Sequence, residues 1–223
     1  MPTRHDGVRS PGSPERNLSY EVYSTLRNEI VRGVLRPNEA VVEADIADRL
    51  GVSRTPVRES LQRLASDGLI VSRRRRWVVY ERSREEIAEL YEVRAALESH
   101  AARLAALRAS DEQIAALREL TRRVSGGVDG LSGPERVEAN ECFHDLVIRS
   151  SANDRLVAEI HRNRLYAFNH QVVAGYTREQ LRESWHQHEE IVEAVAARDA
   201  TRAGEATRRH IEHALSMILR QVF

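Results

Sequence analysis

Two histidines interrupt the apolar stripes of neighbouring helices near the end of the chain, where a buried polar side chain needs a specific partner. One helix is predicted over residues 178–197 and carries His188, and the next is predicted over 200–221 and carries His210. Asp199 marks the turn between them, and each histidine lies eleven residues from it. In an antiparallel hairpin this spacing places both imidazoles at the same height, about 16 Å from the turn by helical rise.

A third histidine, His144, lies on the inner face of a helix predicted over 134–150. Asn140 shares that face because it precedes His144 by about one helical turn. Three neutral imidazoles together with one oxygen ligand would suit zinc, nickel or a similar divalent transition metal. A histidine on an apolar face is also typical of a core residue whose hydrogen bonds are satisfied. The residues by themselves therefore leave both interpretations open.

Arg94 also lies within an apolar stripe, on a helix predicted over 84–108. A buried guanidinium needs an anion, and two sources of an anion are considered. One is the carboxylate of Glu98, one turn further along the helix, and the other is an acidic small molecule bound from outside. Tyr91, one turn earlier, could add a hydroxyl to such a ligand site.

Another group of polar residues is typical of contact with nucleic acid. Ser53, Arg54, Thr55 and Arg58 occupy the exposed start of a helix predicted over 54–67. Either arginine could bind the O6 and N7 atoms of a guanine, while hydroxyl groups beside a helix N-terminus suit phosphate. The alternative interpretation is that both arginines are ordinary solvated surface residues.

The elements around these residues follow the order of a winged helix-turn-helix. A short helix over 43–50 ends at Gly51, the helix over 54–67 follows, and two short strands over 69–72 and 77–80 form a hairpin. The four consecutive arginines at the hairpin tip are Arg73, Arg74, Arg75 and Arg76. They could bind phosphates or a narrow minor groove, or they form a solvated run of charge.

Charge is distributed unevenly, although the formal net charge is zero. Residues 1–80 contain 14 arginines and 10 acidic residues, whereas residues 81–223 contain 20 arginines and 24 acidic residues. The basic front part is therefore expected to face a polyanion such as DNA. No apolar run is long enough for a membrane span, the N-terminus lacks a signal-peptide core, and the single cysteine, Cys142, cannot form an internal disulfide. These features together predict a cytoplasmic protein.

Three segments are predicted along the chain. Residues 1–17 are rich in proline and glycine and predict a disordered tail, residues 18–81 predict the winged helix-turn-helix, and residues 82–223 predict a helical domain. The helical domain is expected to contain six helices, over 84–108, 111–125, 134–150, 154–173, 178–197 and 200–221. Short connections between long amphipathic helices are typical of an antiparallel bundle, so the predicted fold class is mainly α.

The stretch LGVSRTPVRESLQRLASDGLI resembles the winged-helix signature of GntR-family transcriptional regulators, with a similarity that covers about residues 18–80. The resemblance implies that Ser53, Arg54, Thr55 and Arg58 contact DNA. It also implies DNA contact through the wing, where members of the family usually carry a glycine at the tip. This chain has arginines there instead, which leaves the geometry of the wing open.

The segments NECFH and HEEIVEAVAARDATRAGEATRRHI resemble the FCD effector domain of the FadR-type subfamily, over about residues 84–220. A bundle of six helices is more similar to the VanR-like branch than to the seven-helix FadR branch. Members of the metal-binding type use an aspartate, a histidine four residues later and two further histidines. The corresponding positions here are Asn140, His144, His188 and His210.

The resemblance carries three further implications for this domain. Asparagine in place of aspartate removes a charge from the ligand set, so weaker binding or a different metal preference is expected. A small carboxylate effector is expected close to the metal, bound by Arg94 with a contribution from Tyr91. The domain is also expected to form the contacts of a homodimer.

These features predict a ligand-responsive, DNA-binding transcriptional regulator that binds a pseudo-palindromic operator as a homodimer, usually as a repressor in this family. One alternative is a metal sensor, in which the ion itself is the signal. Another is a helical-bundle metalloenzyme. The asparagine at the first ligand position, the scarcity of nearby candidate bases and the presence of a DNA-binding module all count against an enzyme.

Overall fold

The chain folds into two compact units, which are described separately. The computed structural model describes residues 18–127, 130–163, 173 and 175–221. The first unit contains the chain up to Ile30 together with Leu35–Tyr80, and the second contains Val31–Val34 together with the chain from Glu81 onward. The predicted disordered tail over 1–17 lies outside the described residues.

The first unit combines three helices with a small antiparallel sheet, in the order of a winged helix-turn-helix. Its elements are α1 (Leu18–Val31), β1 (Ala40–Val41), α2 (Glu43–Leu50), α3 (Arg54–Ser66), β2 (Ile70–Arg73) and β3 (Arg76–Val79). The strand order is β1-β3-β2, with Ala40 opposite Val78 and Ile70 opposite Val79. Five fully buried side chains form its centre: Leu26, Val57, Leu61, Leu64 and Ile70. Ile46 and Ala47 of α2 are also buried, so all three helices contribute to the apolar core.

The turn between α2 and α3 sets the position of the predicted DNA-reading residues. Gly51 ends α2 in the left-handed region, with φ 64°, which glycine adopts without steric penalty. Ser53 stands at the N-cap of α3 in an extended conformation, but its side chain makes no capping hydrogen bond. The first N–H groups of a helix have no partner within the helix, so the start of α3 suits an anion such as a DNA phosphate.

The wing is a tight hairpin, shorter at its tip than the sequence predicts. Arg73 pairs with Arg76 as the last residue pair of the β2–β3 ladder. Only Arg74 and Arg75 form the turn, and both have positive φ, 49° and 63° respectively. Two left-handed central residues are the requirement of the type I′ turn, which matches the twist of a hairpin. A glycine-free wing thus closes through two arginines in a conformation that side chains disfavour.

The second unit is a bundle of long helices, and it confirms the predicted fold class. Its elements are α4 (Arg84–Arg108), α5 (Asp111–Gly127), α6 (Gly133–Arg149), α7 (Asp154–Asn163), α8 (Arg178–Ala196) and α9 (Ala200–Gln221). Within the described residues these are the six predicted helices. The helix predicted over 154–173 is described only to Asn163, because residues 164–172 lie outside the described part of the chain. No helix in the described ranges is both long and apolar enough to cross a bilayer.

The N-terminal cap of α4 and its close contact with α9 help to position the polar residues of the bundle. α4 begins with a capping box in which Ser83 and Glu86 satisfy each other's backbone N–H groups. α9 packs along α4, and Gly204 allows the two backbones to approach. A Cβ at Gly204 would lie 2.6 Å from the Cγ of Arg103 and 3.3 Å from the carbonyl oxygen of Ser99. This close packing brings polar residues of α4 and α9 to a common level.

Candidate metal centre and nucleic-acid interface

Three histidines from three helices converge inside the bundle. The Nε2 atoms of His188 and His210 are 3.1 Å apart, and those of His210 and His144 are 3.3 Å apart. All three side chains are buried, and their nitrogen atoms lie within 4.8 Å of one another. The spacing about Asp199 therefore predicts the height of His188 and His210 correctly.

Outer hydrogen bonds determine which nitrogen of two histidines carries the proton. The Nδ1 of His144 lies 2.9 Å from Oε2 of Glu98, and the Nδ1 of His210 lies 2.9 Å from Oε1 of Gln187. A carboxylate can only accept a hydrogen bond, and the side-chain amide nitrogen of Gln187 already donates to Glu183. Both Nδ1 atoms are therefore the donors, so the Nε2 lone pairs of His144 and His210 face the same point.

His188, the third histidine of the group, packs against two aromatic side chains. Its ring stacks on Phe143 with centroids 3.9 Å apart, and it meets the edge of Trp185 at 4.6 Å. Its Nδ1 is buried, and none of the described residues forms a hydrogen bond with it. Burial first, and then the neighbouring imidazoles and Arg94, hold the pKa of His188 well below its usual value, and burial does the same for the pKa of His210. Neutral imidazoles are the form that binds a metal.

The donor set fits a divalent transition metal. The Nε2 lone pairs of His144 and His210 face each other at 3.3 Å and repel unless a cation lies between them. A metal ion would bind the lone pairs of all three imidazoles. Carboxylate or amide acceptors behind the metal-facing imidazoles are also the usual outer partners of zinc-binding histidines. Zinc and nickel both suit three imidazoles.

Asn140 lines the same cavity as two of these histidines. The cavity is bounded by Asn140, His144 and His210 together with Tyr91 and Arg94, and its volume is about 10 Å³. Asn140 itself is 8% exposed. The space accommodates about one water molecule, so it suits an ion with a small ligand, and an organic acid would need the wall to move.

Arg94 is paired inside the protein, as one of the two sequence interpretations predicts. Its Nε donates to Oε1 of Glu98 at 2.8 Å, and its Nη1 donates to the hydroxyl of Tyr91 at 3.3 Å. Burial by itself would lower the pKa of Arg94, but the charges and hydrogen bonds of Glu98 and Tyr91 together outweigh burial and hold that pKa above its usual value. Burial raises the pKa of Tyr91, so its hydroxyl stays protonated.

The predicted DNA-reading residues are all exposed on the first unit. Ser53, Arg54, Thr55 and Arg58 are all exposed, as are the four wing arginines. The carboxylate of Glu43 pairs with Nε and Nη2 of Arg58, at 3.3 and 3.1 Å. In the wing, Arg73 donates to the side-chain carbonyl of Asn38 at 2.7 Å.

Sequence reasoning missed three residues that hold these groups in place. Glu43 and Gln187 were not singled out, because an isolated acid or amide on a helix has no distinguishing pattern. Glu98 was considered only as a partner of Arg94, although it also reaches His144, 46 positions away in the chain. The buried stripe of α4 runs through Tyr91 and Glu98 and is rotated by one residue from the predicted stripe through Arg94.

Comparison with known proteins places both units in one family. The family model described as bacterial regulatory proteins, gntR family, matches residues 18–79, and the FCD domain model matches residues 89–213. The chain therefore belongs to the GntR family, in the group whose second domain is an FCD domain. It is a DNA-binding transcriptional regulator, since these domains and the relatives that carry them are those of regulators and not of enzymes.

Relatives and solved structures extend the similarity over most of the chain. The HTH-type transcriptional regulator YdhC of Bacillus subtilis is 27% identical over 86% of this chain and 87% of its own length. The HTH-type transcriptional repressor RspR of Escherichia coli is 26% identical over 96% of this chain and 94% of its own. The solved structure of E. coli McbR/YncC has a TM-score of 0.78 at 22% identity, covering 92% of this chain and 99% of that chain. The last comparison shows a common fold.

Proposed function

We propose that this protein is a ligand-responsive repressor whose binding to its operator is modulated by a small organic acid bound in a metal-containing pocket of the helical unit. The observation that carries the proposal is the convergence of three buried histidines beside Arg94, within a chain that also carries a winged helix-turn-helix. A relative of similar length, RspR, is named as a repressor. Binding to DNA would place the protein in the cytoplasm, with the chromosome.

The metal would be held by His144, His188 and His210, with the side-chain oxygen of Asn140 as a fourth ligand. Zinc or nickel would supply a Lewis-acidic position for an anionic ligand. The protein's own contribution is to keep His188 and His210 neutral and to orient His144 and His210 through their outer hydrogen bonds. Asn140 brings no charge, so the site has a lower electrostatic affinity for a cation than one with a carboxylate at this position.

The effector is a small carboxylate that binds Arg94. In the present arrangement Arg94 is paired with Glu98 and Tyr91, and the cavity holds about 10 Å³. Binding of an organic acid therefore requires the Arg94 contacts to rearrange and the wall to move. A ligand that binds the rearranged state better shifts the population toward it, and that shift is the signal.

The DNA-binding form would be a homodimer on a pseudo-palindromic operator. In each protomer the first turn of α3 presents Arg54 and Arg58 to base edges, and Ser53 and Thr55 to phosphate. The wing arginines add contacts with the DNA backbone or the minor groove.

A titration of operator binding tests this proposal. The zinc-loaded protein is bound to fluorescent DNA from its own promoter, and candidate organic acids are added one at a time. We expect one acid to weaken operator binding by roughly tenfold or more, because allosteric coupling is typically 1–3 kcal/mol. Arg94→Gln should keep operator binding and lose the response, whereas the control Arg202→Gln, on the exposed side of α9, should respond normally. No response to any acid would contradict the sensing role.

A metal sensor is the second candidate, and the size of the cavity favours it. A space of about 10 Å³ bounded by His144 and His210 is large enough for an ion but not for an organic acid. The same assay discriminates between the two functions. Operator binding that changes on addition and removal of zinc, with no organic acid having any effect, would identify the ion as the signal.

A further inference from the structure

Glu98 is the most deeply buried carboxylate among the described residues, with 1% of its surface exposed. Its two oxygen atoms serve two different groups. Oε1 accepts from Nε of Arg94 at 2.8 Å, and Oε2 accepts from Nδ1 of His144 at 2.9 Å. A buried charge on this scale is tolerated only when it is paired and hydrogen-bonded. One carboxylate therefore joins the arginine wall to the histidine group.

The hydrogen bond to His144 determines how that imidazole presents itself. With the proton held on Nδ1, the Nε2 lone pair is directed at His210 and His188. An ionised acceptor also makes the imidazole a stronger electron donor than a neutral acceptor does. Gln187 is the neutral counterpart behind His210, so the two imidazoles are supported by acceptors of different strength.

We propose that Glu98 is a positioning residue of the metal centre and that it links the charge of Arg94 to the metal affinity of His144. This inference rests on the metal site proposed above. The positive charge of Arg94 offsets part of the effect that the Glu98 carboxylate has on His144. The same positive charge also repels a cation bound at the histidines. A carboxylate ligand that draws Arg94 away breaks the Arg94–Glu98 pair, while Glu98 keeps its hydrogen bond to His144. Such a ligand therefore tightens metal binding, and by reciprocity the metal tightens binding of the ligand.

Zinc affinity of the full-length protein tests the link without DNA or effector. Zinc is titrated against a chromogenic chelator with the wild type, Glu98→Gln, Arg94→Gln and the double variant. Glu98→Gln should weaken zinc binding roughly 10- to 100-fold, as loss of an outer partner usually does. Arg94→Gln should tighten it by roughly tenfold, since a neighbouring cation is removed. The tightening should fall to about threefold or less in the Glu98→Gln background, because the carboxylate that transmits part of it is absent.

Two measures keep the test decisive if Glu98→Gln folds poorly. The double variant replaces the ion pair with two neutral amides, so neither charge is left buried without the other. The tautomer of His144 is read from the imidazole ¹⁵N shifts of the metal-free wild type, and we expect the proton on Nδ1. A control, Glu119→Gln, removes an exposed carboxylate from α5 and should bind zinc like the wild type.

The outcomes separate this inference from the proposed function. Equal zinc affinity in the wild type and Glu98→Gln, additive effects of the two substitutions, or a proton on Nε2 of His144 would overturn the role of Glu98 and leave the metal site intact. Failure of the wild type to bind zinc or nickel at all would overturn the metal site itself, and this assignment with it.

Discussion

The guanidinium of Arg58 has two hydrogen-bonding edges, and the protein occupies one of them. Glu43 binds the edge formed by Nε and Nη2. In the proposed DNA contact, the other edge, formed by Nη1 and Nη2, would bind the O6 and N7 atoms of a guanine. Because α2 holds the carboxylate, the arginine is oriented before DNA arrives. Orientation of this kind lowers the conformational entropy lost on binding.

Substitution of Glu43 should reduce selectivity more than affinity. In Glu43→Gln the arginine is less firmly held, so we expect operator affinity to fall roughly three- to tenfold, while binding to a scrambled duplex rises slightly because a negative charge is lost. Arg58→Ala should abolish most of the preference for the operator. Fluorescence anisotropy with both duplexes measures these changes, and Glu119→Gln serves as the control. Unchanged preference in both variants would exclude Arg58 from base recognition.

The role of Asn140 as a metal ligand can be tested by introducing the carboxylate that metal-binding members of the family are expected to carry. Asn140→Asp places a negative charge beside His144 and His210, so we expect zinc to bind roughly tenfold more tightly. Asn153→Asp is the matched control, because Asn153 accepts from the backbone N–H of Leu156 and an aspartate can do the same. Isothermal titration with zinc measures both. Identical zinc affinity in Asn140→Asp and the wild type would remove residue 140 from the ligand set.

The histidine group shows what the sequence could predict at this scale and what it could not. Equal distances of His188 and His210 from Asp199 predict their meeting, because helical rise is fixed. The partners of these imidazoles could not be predicted, since Glu98 and Gln187 reach them across helix interfaces. Such contacts depend on the rotation of each helix, and a stripe that is wrong by one residue, as in α4, is wrong by about 100°.

At the scale of elements, the wing is the least expected feature. Arg74 and Arg75 close the β2–β3 hairpin with φ 49° and 63°. Side chains in this region are disfavoured by roughly 1 kcal/mol each, and Asn-Gly would fill the same turn without strain. Strain that the surrounding structure maintains points toward a functional role for the side chains, and the role proposed for them is contact with DNA phosphates.

Replacing the turn should therefore separate stability from DNA binding. We expect Arg74→Asn/Arg75→Gly to raise the free energy of unfolding by about 1 kcal/mol. The same variant should bind DNA more weakly, and the slope of log K against log salt should decrease by about 2 if both arginines contact phosphates. Thermal unfolding and anisotropy at several salt concentrations provide the two readouts. Arg202→Gln/Arg208→Gln removes two exposed arginines of α9 and should leave the slope unchanged.

The boundaries of the long helices could be predicted most accurately from the sequence, and the short strands least accurately. Long amphipathic stripes with glycine or capping residues at their ends predicted α4, α8 and α9 to within one residue at each end. β1 has two residues, which is too few for any alternating pattern. It exists because Ala40 and Val41 complete a ladder with β3, and that pairing depends on the tertiary fold.

At the scale of the whole molecule, the residues proposed for DNA recognition and those proposed for ligand recognition belong to different units. The exposed residues of α3 and the wing belong to the first unit, and the histidine group belongs to the second. A homodimer would present two copies of α3, and its operator should then be a pseudo-palindrome with half-sites about one helical turn apart. Mass measurement of the complex should give two protomers on a full operator. A single protomer bound with equal affinity to a half-site would contradict the dimeric arrangement.

Communication between the two units can be tested by removing the metal. If zinc stabilises one of two states of the whole protein, then its removal must change operator affinity by the same coupling free energy that DNA exerts on zinc. We expect a chelator to change the operator Kd by roughly fivefold or more. His144→Ala/His188→Ala should lose this sensitivity but retain sequence-selective binding, because the first unit is unaltered. Operator affinity is measured by anisotropy with zinc present and after chelation. A response of equal size in the histidine variant would show that the chelator acts elsewhere, and that the histidine group is not what connects metal to DNA.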